Sequence, residues 1–455
     1  MDLSALTAIS PLEGRYYEKL NDLRPLFSEY ALIKYRTTIE IRWLLMLAEH
    51  ANLPELPPLS QHARQLLENI IENFSIQDAT RIKHIESVIN HDVKAVEYFL
   101  KERIANNTEL EAVQEFIHFG CTSEDINNLS YSLMLQNARQ QLILPALDEL
   151  FFILKKMAHT YANQPMLSRT HGQPATPTTI GKEMANVAVR LRRQMAQLIE
   201  TPILGKLNGA SGNYNALAIT CPEKDWQLFS KNFVCLLGLQ WNPYTTQIEP
   251  HDCIAEFVGI LMRINTILID FSRDMWGYIS LNYFKQKSVH TEVGSSIMPH
   301  KINPIDFENA EGNLGIANAL FEHMAMKLPV SRWQRDLSDS TVLRNMGVAI
   351  AHSILAWQAI PKGLDRTEPN PSLLNSELEN HWEILTEPVQ TMLRRYGVKD
   401  AYEKLKDFSR GKKVTKESLH QFIKSLSLPD NAKETLLQLT PQTYTGYAED
   451  LAKRI

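Results

Sequence analysis

Apolar residues recur at intervals of three and four positions over long stretches of the chain. The most regular stripe comprises Ile254, Phe257, Leu261, Ile264, Leu268, Phe271 and Met275. Two further stripes comprise Ile180, Met184, Val187, Leu191, Met195 and Leu198, and Ile82, Ile85, Ile89, Val93, Val96 and Leu100. The same period fits residues 133–161, 308–328 and 342–360. Because this spacing places apolar side chains on one face of an α-helix, and strand-like alternation is scarce, we predict a mainly α fold.

The longest stripes predict helices that would form an elongated bundle. A helix of about 25–30 residues is about 40 Å long, since each residue rises about 1.5 Å. A regular 3-4 repeat suits near-parallel packing, either within the chain or between copies of it, and the sequence leaves that choice open. Proline-rich segments interrupt the pattern at 54–60 and 361–375. The segment around 105–109 fits the end of a first, mixed domain, and 361–375 fits a junction before a charged C-terminal segment. We predict an N-terminal domain over residues 1–111, a central bundle over 112–364 and a C-terminal domain over 365–455.

Composition and charge narrow the classes of partner. The 455 residues carry a formal net charge of −5, with 47 Lys and Arg against 52 Asp and Glu. Sequence-independent binding to nucleic acid needs a clustered basic surface, so we expect no nucleic-acid partner. The uncharged stretch 345–361 is too short and too polar for a transmembrane helix. The first residues lack the features of a secretory signal, and the cysteines form no C-x-x-C pair. We expect a cytoplasmic protein that does not span a membrane.

Common nucleotide and metal motifs are absent from the sequence. There is no G-x-x-x-x-G-K-[ST] loop, and the glycine-rich stretch Gly205–Gly212 does not match G-x-G-x-x-G. His290 and Glu292 resemble the start of a zinc deaminase motif, but the P-C-x-x-C part of that motif is missing. We therefore expect no metal site and no organic cofactor.

One polar segment lies between two helical patterns. Residues Gly294–Pro304 read GSSIMPHKINP, and Pro299 and Pro304 prevent a regular helix there. The backbone N–H groups of a tight Ser-Ser turn can bind an anion, and Lys301 can add a positive charge. An ordinary polar loop fits the same residues about equally well, so the residue types alone leave both interpretations open.

The segment is similar, at every fixed position, to the GSSxMPxKxNP signature of the fumarase/aspartase superfamily. Further segments resemble the adenylosuccinate lyase family within it, in its bacterial form, at residues 10–16, 90–92, 118–125, 168–174 and 335–344. This resemblance runs nearly end to end. It implies a long-helix bundle with smaller N- and C-terminal domains, and a homotetramer whose sites are shared between subunits. It also implies a reaction of purine biosynthesis without a cofactor: the β-elimination of fumarate from adenylosuccinate, giving AMP, and from the succinylcarboxamide ribotide SAICAR, giving AICAR.

The resemblance also implies residue roles, with Ser295 as general base and His171 as general acid. The substrate-binding positions that it implies are Arg15, Tyr16, Asn90, His91, Asp92, Thr122, Ser123, Gln247, Ser296, Lys301, Asn303, Asn309, Arg335, Ser340, Thr341 and Arg344. Structural alternatives exist for several of them. A loop serine commonly caps a helix, Thr122 and Asp125 fit a capping box, and His91 falls opposite an apolar stripe, as a solvated histidine would.

Two other functions compete with this interpretation. Superfamily lyases that act on argininosuccinate, malate or aspartate perform similar eliminations, but their substrates lack a nucleotide phosphate and leave Arg335 and Arg344 without a purpose. A non-catalytic scaffold descended from a lyase would have lost the base, the acid or the carboxylate clamp. Ser295, His171 and Lys301 are all present. We therefore expect an enzyme that cleaves adenylosuccinate.

Overall fold

The structure is a computed structural model of the chain, and it describes residues 2, 4–287, 297–298 and 300–455. The chain divides into two compact units. Unit 1 comprises Met1–Ala146, Gln194–Thr266 and Asn313–Ala356, and unit 2 comprises Leu147–Arg193, Ile267–Gly312 and Trp357–Ile455. The division into three domains at 111/112 and 364/365 stays a prediction.

Helices dominate the described residues. Up to residue 236 they are α1 Arg24–Phe27, α2 Glu29–His50, α3 Gln61–Glu72, α4 Ile76–Ile89, α5 Asp92–Ile104, α6 Thr108–Ala112, α7 Ser123–Ala138, α8 Leu144–Thr160, α9 Ile180–Glu200, α10 Asn215–Thr220 and α11 Trp226–Leu236. Beyond it they are α12 Asp252–Ser280, α13 Ile305–Lys327, α14 Ser338–Leu343, α15 Met346–Asp365, α16 Pro371–Glu379, α17 Thr386–Arg395, α18 Ala401–Ser409, α19 Lys416–Ser425, α20 Asp430–Gln438 and α21 Ala448–Lys453. Short 3-10 helices cover Tyr17–Leu20, Gln114–Phe116 and Trp382–Leu385, and a π-helical turn covers Arg139–Ile143. The predicted mainly α fold is confirmed.

Two apolar stripes form the buried faces of long helices, as predicted. The stripe from Ile254 to Met275 lies on α12, and the stripe from Ile180 to Leu198 lies on α9. All residues of both stripes are buried. Removing these apolar faces from water supplies much of the driving force that keeps such helices folded.

The third stripe does not form one helix. Asn90 ends α4 in the left-handed region at φ 55°, and His91 is extended at φ −149° and ψ 114°. The His91 ring nitrogen accepts the N–H of Lys94 at 3.1 Å and so caps α5. The prediction of one continuous helix was wrong, because the apolar spacing continues across the break while local polar contacts end one helix and begin the next. His91 is nevertheless exposed, as its position opposite the apolar stripe suggested.

Two of the three remaining patterns differ in how they continue. The pattern over 342–360 is interrupted, since α14 ends at Leu343 and α15 begins at Met346. The pattern over 133–161 instead passes from α7 to α8 through the π-helical turn, which accommodates one extra residue without ending the helix. Apolar periodicity therefore predicted the buried faces better than the helix ends.

Short strands form two-stranded sheets in the described residues. Antiparallel β1 Pro165–Thr170 and β2 Gln173–Thr179 pair in unit 2, as do antiparallel β5 Phe284–Gln286 and β6 Thr367–Pro369. In unit 1, β3 Leu204–Gly205 and β4 Gln240–Trp241 are parallel. The β1–β2 hairpin contains the SRTHGQP segment, for which the sequence predicted no strands.

A buried cluster in unit 2 packs the C-terminal helices against the hairpin. Leu167 of β1 lies in it, together with Leu378, Trp382, Ile384, Leu385, Val389, Leu393, Ala401, Leu405, Val414, Leu419, Ile423, Leu426, Leu428, Ala432 and Leu436. Because a strand residue belongs to this core, the hairpin is anchored at its base. Among the described helices, none combines the length and the apolar character that crossing a membrane requires.

Candidate active site

A continuous series of polar contacts in unit 1 links Arg335 to Asp92. Arg335 Nη2 lies 3.1 Å from Glu124 Oε1, which also accepts a hydrogen bond from Asn127 Nδ2 at 2.9 Å. Asn127 Oδ1 accepts from Arg36 Nε at 2.8 Å, and Arg36 Nη2 donates to Asp92 Oδ2 at 2.7 Å. Two residues that the sequence predicted separately therefore belong to one network.

The network continues from Asp92 to Arg344. Arg344 Nη2 lies 3.6 Å from Asp92 Oδ2, Arg344 Nε lies 3.8 Å from Glu29 Oε2, and Arg344 Nη1 donates to Ser340 Oγ at 2.6 Å. Burial raises the pKa of Asp92, but Arg36, a backbone N–H and Arg344 outweigh burial and hold that pKa below its ordinary value. The two ion pairs of Arg344 are longer than hydrogen bonds, so its guanidinium keeps donors for an anionic ligand.

Two buried carboxylates hold the guanidinium of Arg335. Its Nη1 donates to Asp339 Oδ2 at 3.1 Å, whereas the contact with Glu124 is made by Nη2. Burial raises the pKa of Asp339, but a hydrogen bond with His251 and the charge of Arg335 keep it below its ordinary value. The other Asp339 oxygen accepts the N–H of Ser340 at 2.7 Å. Arg335 therefore has a fixed orientation and a permanent positive charge.

Asp125 organises the loop that precedes α7. Its Oδ1 lies 2.9 Å from Lys206 Nζ and accepts the N–H of Asn208 at 3.0 Å. Its Oδ2 accepts the N–H groups of Gly209 at 3.0 Å and of Thr122 at 2.8 Å. The side chains of Asp125 and Lys206 are both fully buried. The predicted capping box is confirmed, and the same carboxylate joins the Thr122 loop to the glycine-rich segment that lacks a nucleotide motif.

The predicted acid His171 lies at the tip of the β1–β2 hairpin in unit 2. Pairing of Thr170 with Gln173 leaves His171 and Gly172 as a two-residue turn, with φ values of 56° and 74°. Two successive positive φ values are what a type I′ turn requires, and its twist suits antiparallel strands. Positive φ is uncommon for residues with a Cβ. The turn leaves the imidazole exposed at the hairpin tip.

Side chains from the rest of unit 2 brace this hairpin. Arg169 Nε donates to Tyr283 Oη at 3.2 Å, and Arg169 also forms an ion pair with Glu377. The hydroxyl of Thr176 donates to Glu387. Burial raises the pKa of Tyr283 to about 12, so this side chain is a neutral phenol at physiological pH. Both strands are therefore tied to other elements, while the turn and the strand residues next to it stay exposed.

The signature segment is described in part. The predicted base Ser295 and its neighbour Ser296 lie outside the described residues. Lys301 and Asn303 lie in the segment just before α13, where Lys301 is exposed and Asn303 half-buried, and Asn309 lies within the second turn of α13. These three residues belong to unit 2.

The remaining predicted residues lie at the ends of elements or in loops of unit 1. Arg15 is exposed and Tyr16 half-buried just before the 3-10 helix Tyr17–Leu20, and Gln247 donates to the carbonyl oxygen of Ala210 at 3.2 Å. Asn90 and His91 form the α4–α5 junction beside Asp92, Ser123 begins α7, and Thr341 is exposed on α14. The contacts described above bring together Asp92, Arg335, Ser340 and Arg344.

Sequence reasoning missed Arg36, Glu124 and Asn127. Arg36 is 2% exposed on α2, and a charged residue in a mainly apolar helix was the available signal. Glu124 lies inside one of the segments that resemble the family, and Asn127 follows it by one helical turn. Each contacts a substrate-binding candidate directly or through one residue. The network in unit 1 can orient cations toward an anion.

Two family models match the chain. The model described as Lyase covers residues 14–317, and the model described as Adenylosuccinate lyase C-terminal covers residues 331–445. The chain is similar in fold to 3-carboxy-cis,cis-muconate lactonizing enzyme from Pseudomonas putida, with a TM-score of 0.74, 21% identity and 95% of each chain covered. It is also similar to fumarate lyase from Mesorhizobium sp. BNC1, with a TM-score of 0.75, 19% identity and 95% and 96% covered. These likenesses confirm the fold class.

Full-length relatives are much more similar in sequence. The adenylosuccinate lyase of Escherichia coli (strain K12) is 58% identical over 448 residues, which is 98% of each chain. The adenylosuccinate lyase of Haemophilus influenzae is 56% identical over 455 residues, covering 100% of both chains. Similarity at this level extends through both units and the C-terminal helices. The chain belongs to the adenylosuccinate lyase family.

Proposed function

We propose that this chain catalyses the β-elimination of fumarate from adenylosuccinate, giving AMP, and from SAICAR, giving AICAR, in purine nucleotide biosynthesis. Relatives that bear the name adenylosuccinate lyase support the reaction class over the full length of the chain. The observation that carries the proposal is the network that holds Arg335 and Arg344 through Glu124, Asp339 and Asp92. Guanidinium groups fixed in this way suit the phosphate of a nucleotide substrate.

The reaction needs a base, an acid and fixed donors around the substrate carboxylates. The base removes a proton from the carbon next to a carboxylate, and the electron pair delocalises into that carboxylate as an aci-anion. The pair then forms the double bond of fumarate while the C–N bond breaks, and the acid protonates the departing nitrogen. Preorganised cations and N–H groups lower the barrier, because they stabilise the charge that develops on the carboxylate.

We assign the acid to His171 and the base to Ser295. A serine hydroxyl becomes a base only where its alkoxide is stabilised, and we assign that stabilisation to Lys301 and to backbone N–H groups of the signature segment. We assign the phosphate to Arg15, Arg335 and Arg344, with hydroxyl donors from Tyr16, Ser340 and Thr341. The remaining carboxylate and nucleotide contacts are assigned to Asn90, His91, Asp92, Thr122, Ser123, Gln247, Ser296, Lys301, Asn303 and Asn309.

We also propose that the enzyme is a cytoplasmic homotetramer whose sites combine residues of several subunits. Mixing two inactive variants tests the shared site. His171→Asn keeps a residue that tolerates positive φ, and Ser295→Ala removes the hydroxyl. If the two groups in a site come from different subunits, hybrids formed by mixing the variants regain activity, whereas each variant alone stays inactive. Hybrids that remain inactive after subunit exchange has been demonstrated would contradict the shared site.

A substrate panel tests the reaction itself. We expect fumarate release from adenylosuccinate and SAICAR, and none from argininosuccinate, malate or aspartate. Arg344→Ala should raise KM for adenylosuccinate at least tenfold, because a charge-assisted contact to phosphate contributes about 1.5–3 kcal/mol. Release from argininosuccinate but not from adenylosuccinate would overturn the proposed function. An unchanged KM in Arg344→Ala would refute the phosphate role of that arginine and leave the reaction class intact.

A further inference from the structure

A buried histidine outside the predicted site lies behind Arg335. His251 is 2% exposed and lies in unit 1, between β4 and α12. Its Nε2 lies 3.4 Å from Asp339 Oδ2, the same oxygen that accepts from Arg335 Nη1 at 3.1 Å. Its Nδ1 lies 3.7 Å from Glu249 Oε2. The imidazole therefore lies between two buried carboxylates, and one of them positions a substrate-binding candidate.

The far side of the imidazole is fixed as well. Glu249 is 3% exposed, and its Oε2 accepts the backbone N–H of His251 at 2.7 Å. The other oxygen, Oε1, accepts from Asn242 Nδ2 at 2.9 Å. Glu249 thus cannot turn without losing two hydrogen bonds. The order of contacts is Glu249, His251, Asp339 and Arg335, with each buried group held by the one before it.

The backbone at this position is unusual for a residue with a side chain. His251 adopts φ 63°, in the left-handed region that glycine and asparagine occupy more readily. A residue is held in such a conformation only where its surroundings determine it, and such residues cluster where a side chain must be aimed. Here the conformation directs a ring with two polar nitrogens into the space between Glu249 and Asp339.

We propose that His251 is a positioning residue for Arg335: it fixes the Asp339 carboxylate, which in turn fixes the guanidinium in the orientation that receives the phosphate of the substrate. This proposal rests on the proposed function, since it needs a phosphate-bearing ligand at Arg335. His251 itself does not contact the substrate. It acts through two intermediaries, so its removal weakens the contribution of Arg335 rather than the chemical step.

His251→Asn tests the proposal, because asparagine tolerates the left-handed backbone but is too short to span the two carboxylates. We expect the affinity for AMP, measured by calorimetry, to fall about fivefold to twentyfold, while the affinity for adenosine changes less than twofold. We also expect KM for adenylosuccinate to rise by the same factor and kcat to stay within twofold. A loss of affinity that is equal for AMP and adenosine would overturn the proposal, as would unchanged AMP affinity.

A double-mutant cycle shows whether His251 acts through Arg335. In an Arg335→Ala background, His251→Asn should weaken AMP binding no further, because the group that it positions is gone. A general structural defect would instead add to the effect of Arg335→Ala, and that result would contradict the proposal. His251→Gln extends this test if the asparagine variant folds poorly, since its longer amide can still donate to Asp339 and should restore most of the AMP affinity. A glutamine variant that folds and binds AMP no better than Arg335→Ala would contradict the role.

His352→Asn is a matched control. His352 is also buried in unit 1, and its Nδ1 lies 2.8 Å from Asn313 Oδ1, but its hydrogen bond is to an amide rather than to the carboxylates that hold Arg335. This variant should lose thermal stability and keep its AMP affinity within twofold. An equal loss of AMP affinity in both variants would assign the effect to core disruption and refute the proposal. Failure of wild-type protein to release fumarate from adenylosuccinate would instead refute the proposed function.

Discussion

The buried ion pair between Lys206 and Asp125 should be a major determinant of the stability of unit 1. Lys206→Met removes the ammonium group and keeps most of the apolar volume, so Asp125 is left buried without its counter-ion. Removing one partner of a buried pair costs about 3–5 kcal/mol. Asp125 retains three backbone donors, from Thr122, Asn208 and Gly209. Because these donors still stabilise the carboxylate, we place Lys206→Met at the lower end, at about 3 kcal/mol.

Asp125→Asn should be the more damaging change. Each carboxylate oxygen faces two donors: Lys206 and Asn208 on one side, Gly209 and Thr122 on the other. An asparagine amide has one oxygen and one NH₂ group, so in either orientation the NH₂ group faces donors. Lys206 also loses its counter-charge. We therefore expect a loss of about 5 kcal/mol, at the upper end of the range for broken buried pairs.

Urea unfolding followed by circular dichroism, at one fixed protein concentration, measures both losses. Lys453→Met serves as the control, because Lys453 forms an exposed i,i+4 pair with Glu449, and such pairs contribute about 0.3–0.5 kcal/mol. From most to least stable, the expected order is wild type, Lys453→Met, Lys206→Met and Asp125→Asn. A loss below about 1 kcal/mol in Lys206→Met, or a smaller loss in Asp125→Asn than in Lys206→Met, would refute the reasoning.

Three further variants test other parts of the structure. Gly181→Ala should lower the free energy of unfolding by about 3 kcal/mol or more, because the added Cβ would overlap backbone atoms at and just after the end of the preceding helix; an unchanged melting temperature would contradict this. Tyr131→Phe should stabilise the ligand-free protein slightly, by up to about 1 kcal/mol, because the buried Tyr131 hydroxyl has no hydrogen-bond partner among the described residues; a lower melting temperature would show a hidden partner. Burial lowers the pKa of His118, but the Glu40 carboxylate 2.6 Å away outweighs burial and raises that pKa above 6.5. The contribution of the His118–Glu40 pair to the free energy of unfolding is therefore full at lower pH and declines as pH rises through the pKa of His118 in the folded protein. Glu40→Gln should remove that decline from a series of urea midpoints between pH 6 and 9, and an identical decline in both proteins would exclude His118 as its source.

The long helices were predictable because their stability depends on a repeating feature. Each turn of α9 and α12 places an apolar side chain on the buried face, so spacing alone revealed that face. The breaks at Asn90 and at Arg344 span only one or two residues and leave the apolar spacing nearly unchanged. Because apolar periodicity averages over those positions, it predicts one helix where the chain forms two.

The candidate site was predictable where its residues lie in short motifs and unpredictable where they meet through folding. The motif residues Asp92 and Arg344 were identified from resemblance to the family. Arg36 bonds to Asp92 across 56 positions of sequence, and neither local spacing nor charge indicates that contact. His171 was assigned correctly to a connection between helices, but the hairpin that presents it depends on the pairing of two strands without clear alternation.

The two-residue turn at His171 restricts the substitutions open to evolution at that position. Positive φ favours Gly, Asn, Asp and His over branched or bulky side chains, and of these the imidazole has the ordinary pKa nearest neutrality. Under the proposed role of His171 as general acid, backbone conformation and proton affinity both favour histidine at this position. An insertion in the turn would be no easier, since a one-residue shift of register turns every strand side chain to the opposite face. New chemistry in this fold should arise more readily in neighbouring loops than at the hairpin tip.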